Sequence, residues 1–357
     1  MNRRRTSLMK AAMNALHYTG ASDLMAPFTR GIGVIFTLHR VRPDDGGSFA
    51  PNRLLEVRPE FLDETIGLVL DRGFDVVSLD EMHARLVEGD FDRPFAAFTF
   101  DDGYRDNLEL AYPVFRRRGL PFAIYVPTDF PDGRGDLWWI KLERVIAEAA
   151  TVEINMDGVW SHFDTATAAG KHEAFERIYW WLRGLPSEED ARQAVGSLCE
   201  RHGIDLSGLC REAIMSWDEV RGMAADPLVT IGAHTRRHLA LSKLTLAEAA
   251  LEIDAGVRRL EAELGRPVQH LSYPYGDAGS AGAREFSLAR ELGLKTAVTT
   301  RKGLLHPEHS GRLTALPRVS LNGEFQEARY VKVMLTGAPF AFLGVASRTP
   351  FARADAA

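Results

Sequence analysis

Eight short apolar runs constrain the fold of this chain more than any other feature: Gly31 to Leu38, Phe74 to Ser78, Phe95 to Phe100, Phe122 to Val126, Leu228 to Ala233, Gln269 to Tyr273, Thr296 to Thr300 and Ala315 to Ser320. Several are apolar almost without interruption, as strands buried on both faces of a parallel sheet are. Amphipathic helical segments lie between them. Pro59 to Asp71 places Leu62, Ile66, Val69 and Leu70 on one face, and Tyr104 to Arg118 follows the third run. Thr245 and Glu248 form a capping box ahead of Ala249, Ile253, Val257, Leu260 and Leu264, and Gly265 and Pro267 end that helix. This alternation predicts a parallel sheet, either open and doubly wound or closed into a (β/α) barrel, with functional residues at the carboxyl ends of the strands.

One stretch breaks the rhythm. From about Asp129 to Pro227 the pattern is mostly helical, with a section from Val152 to Phe163 that reads as a hairpin, and all six tryptophans fall inside it. Core packing is the expected role of those rings, with a platform for sugar rings as the alternative. The chain therefore divides into an N-terminal helical segment (1–30), a barrel (31–128 and 228–336), a helical insertion (129–227) and a C-terminal tail (337–357), of which Ser347 to Ala357 is expected to fray.

A net charge of −6 argues against a broad phosphate-neutralising surface, so nucleic acid is not an expected partner. Cys199 and Cys210 are too few for a disulfide framework and too far apart for a CxxC pair, and read as buried thiols of a reducing compartment. No apolar run approaches the roughly 20 residues of a transmembrane helix, and no signal-peptide core follows Arg3, Arg4 and Arg5, so a cytoplasmic address is expected. Leu8, Met9, Ala12, Met13 and Leu16 recur at helical spacing behind that basic start. Packing on the main domain is the expected use of this face, and peripheral contact with an anionic membrane is the alternative.

Three strand ends carry groups that can do chemistry. The third run ends in Asp101-Asp102-Gly103, where one carboxylate can bind a metal while the other stays free as a base. After the fifth, His234 and His238 are four residues apart and can converge on one cation if the segment turns helically. With one aspartate they supply three protein ligands, as in catalytic zinc sites that keep a position open. The sixth ends in Ser272-Tyr273-Pro274-Tyr275-Gly276, a rigid turn whose backbone N–H near Tyr275 can face a developing oxyanion.

Taken together and in this order, Thr99-Phe100-Asp101-Asp102-Gly103, His234-Thr235-x-x-His238 and Tyr273-Pro274-Tyr275-Gly276 resemble the motifs of the polysaccharide deacetylases of carbohydrate esterase family 4, the NodB-homology fold. Thr37-Leu38-His39-Arg40-Val41 is similar to the family's first-strand Tyr-His-Arg-Val segment, and Leu316-Pro317-Arg318-Val319 to a late Leu-Pro-Arg-Ile segment. The resemblance covers about Gly31 to Pro127 and Leu228 to Leu321 and leaves the insertion unmatched. It implies a distorted (β/α) barrel with the insertion between the fourth and fifth strands. It also implies Asp102, His234 and His238 as ligands of Zn2+ or another divalent transition metal, and Asp101 as general base.

Two departures stand out. Family members often carry an arginine where this chain has Ser272, and a histidine acid near the end where it has Arg318. Arginine cannot supply a proton, so Arg318 is expected to orient Asp101 or stabilise negative charge. The acid is then His39 or protonated Asp101. The activity implied is metal-dependent hydrolysis of the N-acetyl group of an amino-sugar oligo- or polysaccharide, with metal-activated water as nucleophile. The alternatives are a sugar O-acetyl esterase, a formamide deformylase on a lipid-linked sugar, or a non-catalytic carbohydrate-binding protein on the same scaffold.

Overall fold

The computed structural model describes residues 3–341. The expected fraying of Ser347 to Ala357 concerns a stretch outside the described residues. Eight parallel strands form the central sheet: β1 (Gly33–Leu38), β2 (Asp75–Val76), β3 (Phe95–Phe100), β4 (Phe122–Val126), β5 (Val229–Ala233), β6 (His270–Ser272), β7 (Thr296–Lys302) and β8 (Leu316–Ser320). Their order is β1-β8-β7-β6-β5-β4-β3-β2, and a further pairing of β1 with β3 closes seven of them into a barrel. The eighth, β2, pairs only with Phe95 and Ala96, while β4 pairs with Thr99 and Phe100. Closure needs β1 and β3 to approach along their full length, from Gly33 opposite Phe95 to Leu38 opposite Phe100. Gly33 permits it, because a Cβ there would lie 2.8 Å from the Phe95 ring.

Every residue of β1, β3 and β4 is buried, as the unbroken apolar runs require. Helix Pro59–Asp71 starts on its proline and buries Phe61, Leu62, Ile66 and Val69 against the barrel, whereas Leu70 is turned outward. Helix Leu246–Leu264 has the capping box of Thr245 and Glu248 and ends at Gly265 in the left-handed region. The segment expected as one helix from Tyr104 to Arg118 instead runs as a π-helical turn, Asn107–Ala111, into an α-helix, Tyr112–Arg118. Pro113 has no N–H to give the α-helical ladder, and the Asn107 amide bonds the His39 carbonyl at 2.8 Å, so the wider turn relieves both constraints.

Between β4 and β5 lie helices Trp138–Glu148, Ala168–Gly184 and Glu188–Arg201, with an antiparallel hairpin, Thr151–Met156 and Val159–Asp164. They enclose an apolar core of their own, including Trp138, Trp139, Leu142, Val152, Ile178 and Leu198. No helix among the described residues is long and apolar enough to cross a membrane.

Candidate active site

The residues singled out at strand ends converge at the carboxyl end of the barrel. Past β3, Asp102 and Gly103 both adopt the left-handed conformation, with φ of 75° and 69°. This reversal sends the two neighbouring carboxylates to different partners. Asp102, Thr235, His238 and Tyr275 are four of the five described non-glycine residues with positive φ, and all four lie in the site loops. Backbone strain is thus concentrated here, held by the surrounding fold.

Asp102, His234 and His238 are buried, and their ligand atoms lie within 4.8 Å of one another. Asp102 Oδ1 is 3.5 Å from His234 Nε2 and 3.2 Å from His238 Nε2. The two histidines meet through an irregular loop, with Thr235 and His238 left-handed, and not through the helical turn expected from their spacing. Thr235 fixes that loop by accepting the His238 backbone N–H at 3.1 Å. His234 Nδ1 donates to the Ser272 carbonyl at 2.6 Å. In the neutral ring this leaves Nε2 as a lone pair pointing at a carboxylate oxygen. Burial pushes His238 below the ordinary histidine pKa, with the Asp102 charge only partly offsetting it, which favours its neutral ring. Asp102 Oδ1 is buried with no hydrogen-bond donor. Three acceptors facing one another in a buried space are the donor set a cation requires, and the residues fit a divalent metal.

Asp101 has a different environment. Arg318, wholly buried, forks onto it, with Nη1 to Oδ1 at 2.8 Å and Nη2 to Oδ2 at 2.6 Å. The same guanidinium donates to Thr99 Oγ1 at 3.1 Å, Ser272 Oγ at 3.0 Å and the Thr299 carbonyl at 2.9 Å, so all five N–H groups have acceptors. Ser272 Oγ adds a bond to Asp101 Oδ2 at 3.2 Å. Burial opposes the charge on Asp101, but Arg318 outweighs it, helped by the nearby His234 and His39, and holds the carboxyl below the usual range. Arg318 thus reaches Asp101 from β8, while Ser272 ties the two halves of the site together, its hydroxyl on Asp101 and its carbonyl on His234.

His39, just past β1, is partly exposed, and its ring makes no hydrogen bond among the described residues. Burial lowers its pKa, with the charges of Asp102 and Asp101 acting in the opposite direction. Tyr275 packs its ring 5.0 Å from that of His238. Its hydroxyl accepts Trp138 Nε1–H at 3.0 Å and donates to Glu188 Oε2 at 3.4 Å, and Arg183 stacks 3.6 Å from its ring centre. Thr300 Oγ1 holds its carbonyl at 2.7 Å, and its backbone N–H has no partner among the described residues. Sequence reasoning missed the parts of Thr99, Trp138, Arg183 and Glu188. A hydroxyl in the otherwise apolar run ending at Phe100 was the one available signal, since the other three act from the insertion.

A closed parallel barrel with Asp, Asp, His and His gathered at the carboxyl ends of its strands matches the (β/α) barrel of the NodB-homology type. Residues 193–297 match the family model described as polysaccharide deacetylase. The match begins inside the insertion, which the motif resemblance had left out, and contains His234, His238 and Tyr275 but not Asp101 or Asp102. Among solved structures, the chain is similar to the Streptococcus pyogenes deacetylase PplD in complex with acetate, with TM-score 0.55 and 15% identity over 84% of this chain and 97% of that one. IcaB from Ammonifex degensii matches with TM-score 0.52 and 15% identity, over 85% and 97%. A de-N-acetylase from Aggregatibacter actinomycetemcomitans matches with TM-score 0.52 and 13% identity, over 84% and 99%. At these identities the likeness is one of fold. No curated protein sequence matches.

Proposed function

We propose that this chain is a metal-dependent deacetylase that hydrolyses the N-acetyl group of an amino-sugar oligo- or polysaccharide. The observation carrying this reading is the buried meeting of Asp102 Oδ1 with two imidazole nitrogens, beside a second carboxylate kept ionised by Arg318. Asp102, His234 and His238 would hold the metal, and two imidazoles with one carboxylate suit zinc better than calcium or magnesium. When bound, such an ion polarises the acyl carbonyl and lowers the pKa of water.

The protein's own residues supply the rest. Asp101 takes the proton of the attacking water, and Arg318 and Ser272 orient it for that step. The unpartnered N–H of Tyr275 faces the developing oxyanion. His39 gives a proton to the leaving amine. The Arg318 fork opposes protonation of Asp101, which favours His39 as donor over that carboxyl.

In this reading residues 129–227 act as a subdomain that docks on the site through Trp138, Glu188 and Arg183. The domain boundaries 31–128 and 228–336 for the barrel, 1–30 for the N-terminal segment and 337–357 for the tail belong to the same proposal. So does a cytoplasmic address, supported by two free, buried cysteines. Mass-spectrometric analysis of N-acetylated oligosaccharides after incubation with the zinc-loaded protein tests the reading. Loss of acetyl from an amino sugar supports it, and loss only of O-acetyl or N-formyl groups overturns it.

A further inference from the structure

The N-terminal helices, Arg3–Tyr18 and Ala21–Thr29, present an apolar face on each side of the first of them. The inward face behaves as an amphipathic helix should: Met13 is buried, Met9 and Leu16 pack beside it, and Lys10 and Asn14 pair with Glu324 and Arg329. The outward face has no comparable polar character. Leu8, Ala11, Ala12, Ala15 and Tyr18 follow one another at helical spacing, and all are exposed. The second helix extends this surface with Leu24, Pro27 and Phe28. Leu8, Tyr18, Leu24 and Phe28 are 72%, 73%, 79% and 89% exposed, the highest values among the described large apolar residues. A solvent-facing helix ordinarily shows charge there, and Asp23 is the one acidic residue on either helix.

Charge indicates what covers the surface. Residues 1–30 contain five basic residues and one acidic one, a net +4 in a chain whose total is −6. Along the sequence Arg3, Arg4 and Arg5 precede these apolar residues and Arg30 follows them. An exposed apolar helix face flanked by cations complements a bilayer of anionic phospholipid, whose acyl boundary takes the side chains while its headgroups meet the basic ends.

We infer that the two N-terminal helices seat this protein on an anionic phospholipid surface. They join the barrel at the amino end of β1: Thr29 Oγ1 bonds the Thr336 carbonyl at 2.6 Å, and Ile32 N–H bonds that of Leu305 at 2.8 Å. His39 lies past the opposite end of β1, six residues or about 20 Å away. The first helix runs beside the barrel toward its carboxyl end, where Lys10 bonds Glu324 in the segment after β8.

Flotation of the full-length protein with vesicles tests this. Phosphatidylcholine vesicles containing about one third phosphatidylglycerol should carry it, pure phosphatidylcholine should carry much less, and about 1 M salt should release it. The Leu24→Ser and Phe28→Ser double variant should bind on the order of 100-fold more weakly, roughly tenfold per side chain withdrawn from the acyl boundary. Its unfolding temperature should stay unchanged, because both side chains are exposed. Equal flotation by wild type and variant overturns the inference, as does absence of binding to anionic vesicles. A concentration-dependent dimer that the same substitutions abolish, with no vesicle binding, assigns the surface to a second copy and also overturns it.

Discussion

Replacing Arg318 tests the link between β8 and Asp101. Arg318→Met removes five hydrogen bonds, two of them charged contacts at 2.6 and 2.8 Å, and leaves a carboxylate buried without its counterion. Breaking a buried pair from one side costs about 3–5 kcal/mol, a large part of the roughly 5–15 kcal/mol that holds a protein folded. Arg318→Lys keeps the charge but offers one point contact in place of a fork, for an expected cost of about 1–3 kcal/mol. The pH dependence separates this account from a simple packing defect. In the wild type the Asp101 carboxyl is held below its ordinary value, so its contribution is present above the unfolded pKa and lost as pH falls through the lower folded one. In the methionine variant burial has lost its strongest opponent, and the pKa rises relative to the wild type. Its stability deficit should be largest at neutral pH and shrink as the pH falls through the raised value, and the acid limb of kcat/KM should move to higher pH. Urea unfolding followed by tryptophan fluorescence at about pH 7 and about pH 5 measures the first effect, and a pH profile of kcat/KM measures the second. A methionine variant within about 0.5 kcal/mol of wild type, or one with the same deficit at both pH values, would refute the reasoning.

Asp101→Asn should retain bound metal while losing nearly all turnover, whereas His234→Ala should lose both; elemental analysis beside acetate release distinguishes them, and equal metal loss would reverse the roles of the two aspartates. His39→Gln should slow turnover by roughly 10²–10⁴ and remove the alkaline limb of kcat/KM, a limb that burial of His39 places below the ordinary histidine pKa. An unchanged profile and rate would eliminate this histidine as the acid. Trp139→Ala should cost about 3–5 kcal/mol in a chemical denaturation series, since that ring is buried and bonds Tyr104 Oη at 3.0 Å, while exposed Trp160 and Trp180 should tolerate alanine within about 0.5 kcal/mol.

The barrel was legible because buried parallel strands write themselves as apolar runs: β3 and β4 span the same residues in sequence and structure, and the other runs differ at their ends. Periodicity also located helix Pro59–Asp71, but it could not show that Leu70 faces outward, since that depends on where the neighbouring helices end. The site was legible as a set of strand ends, and Arg318 as a partner for Asp101 once proton donation was excluded by its chemistry. The route of convergence was not. A four-residue histidine spacing suggests a helical turn, whereas the local chain uses left-handed residues stabilised by a tertiary fold that periodicity does not report. The braces on Tyr275 come from Trp138, Arg183 and Glu188, more than 85 residues away in sequence, and no local pattern announces contacts of that range.

The measurement that bears most directly on the central claim is acetate release from N-acetylated hexosamine oligomers by the chelated protein, before and after metal is restored. The Asp102, His234 and His238 site predicts that turnover disappears with the metal, returns with one equivalent of zinc, and does not return with magnesium. Undiminished acetate release by the metal-free protein would contradict the account.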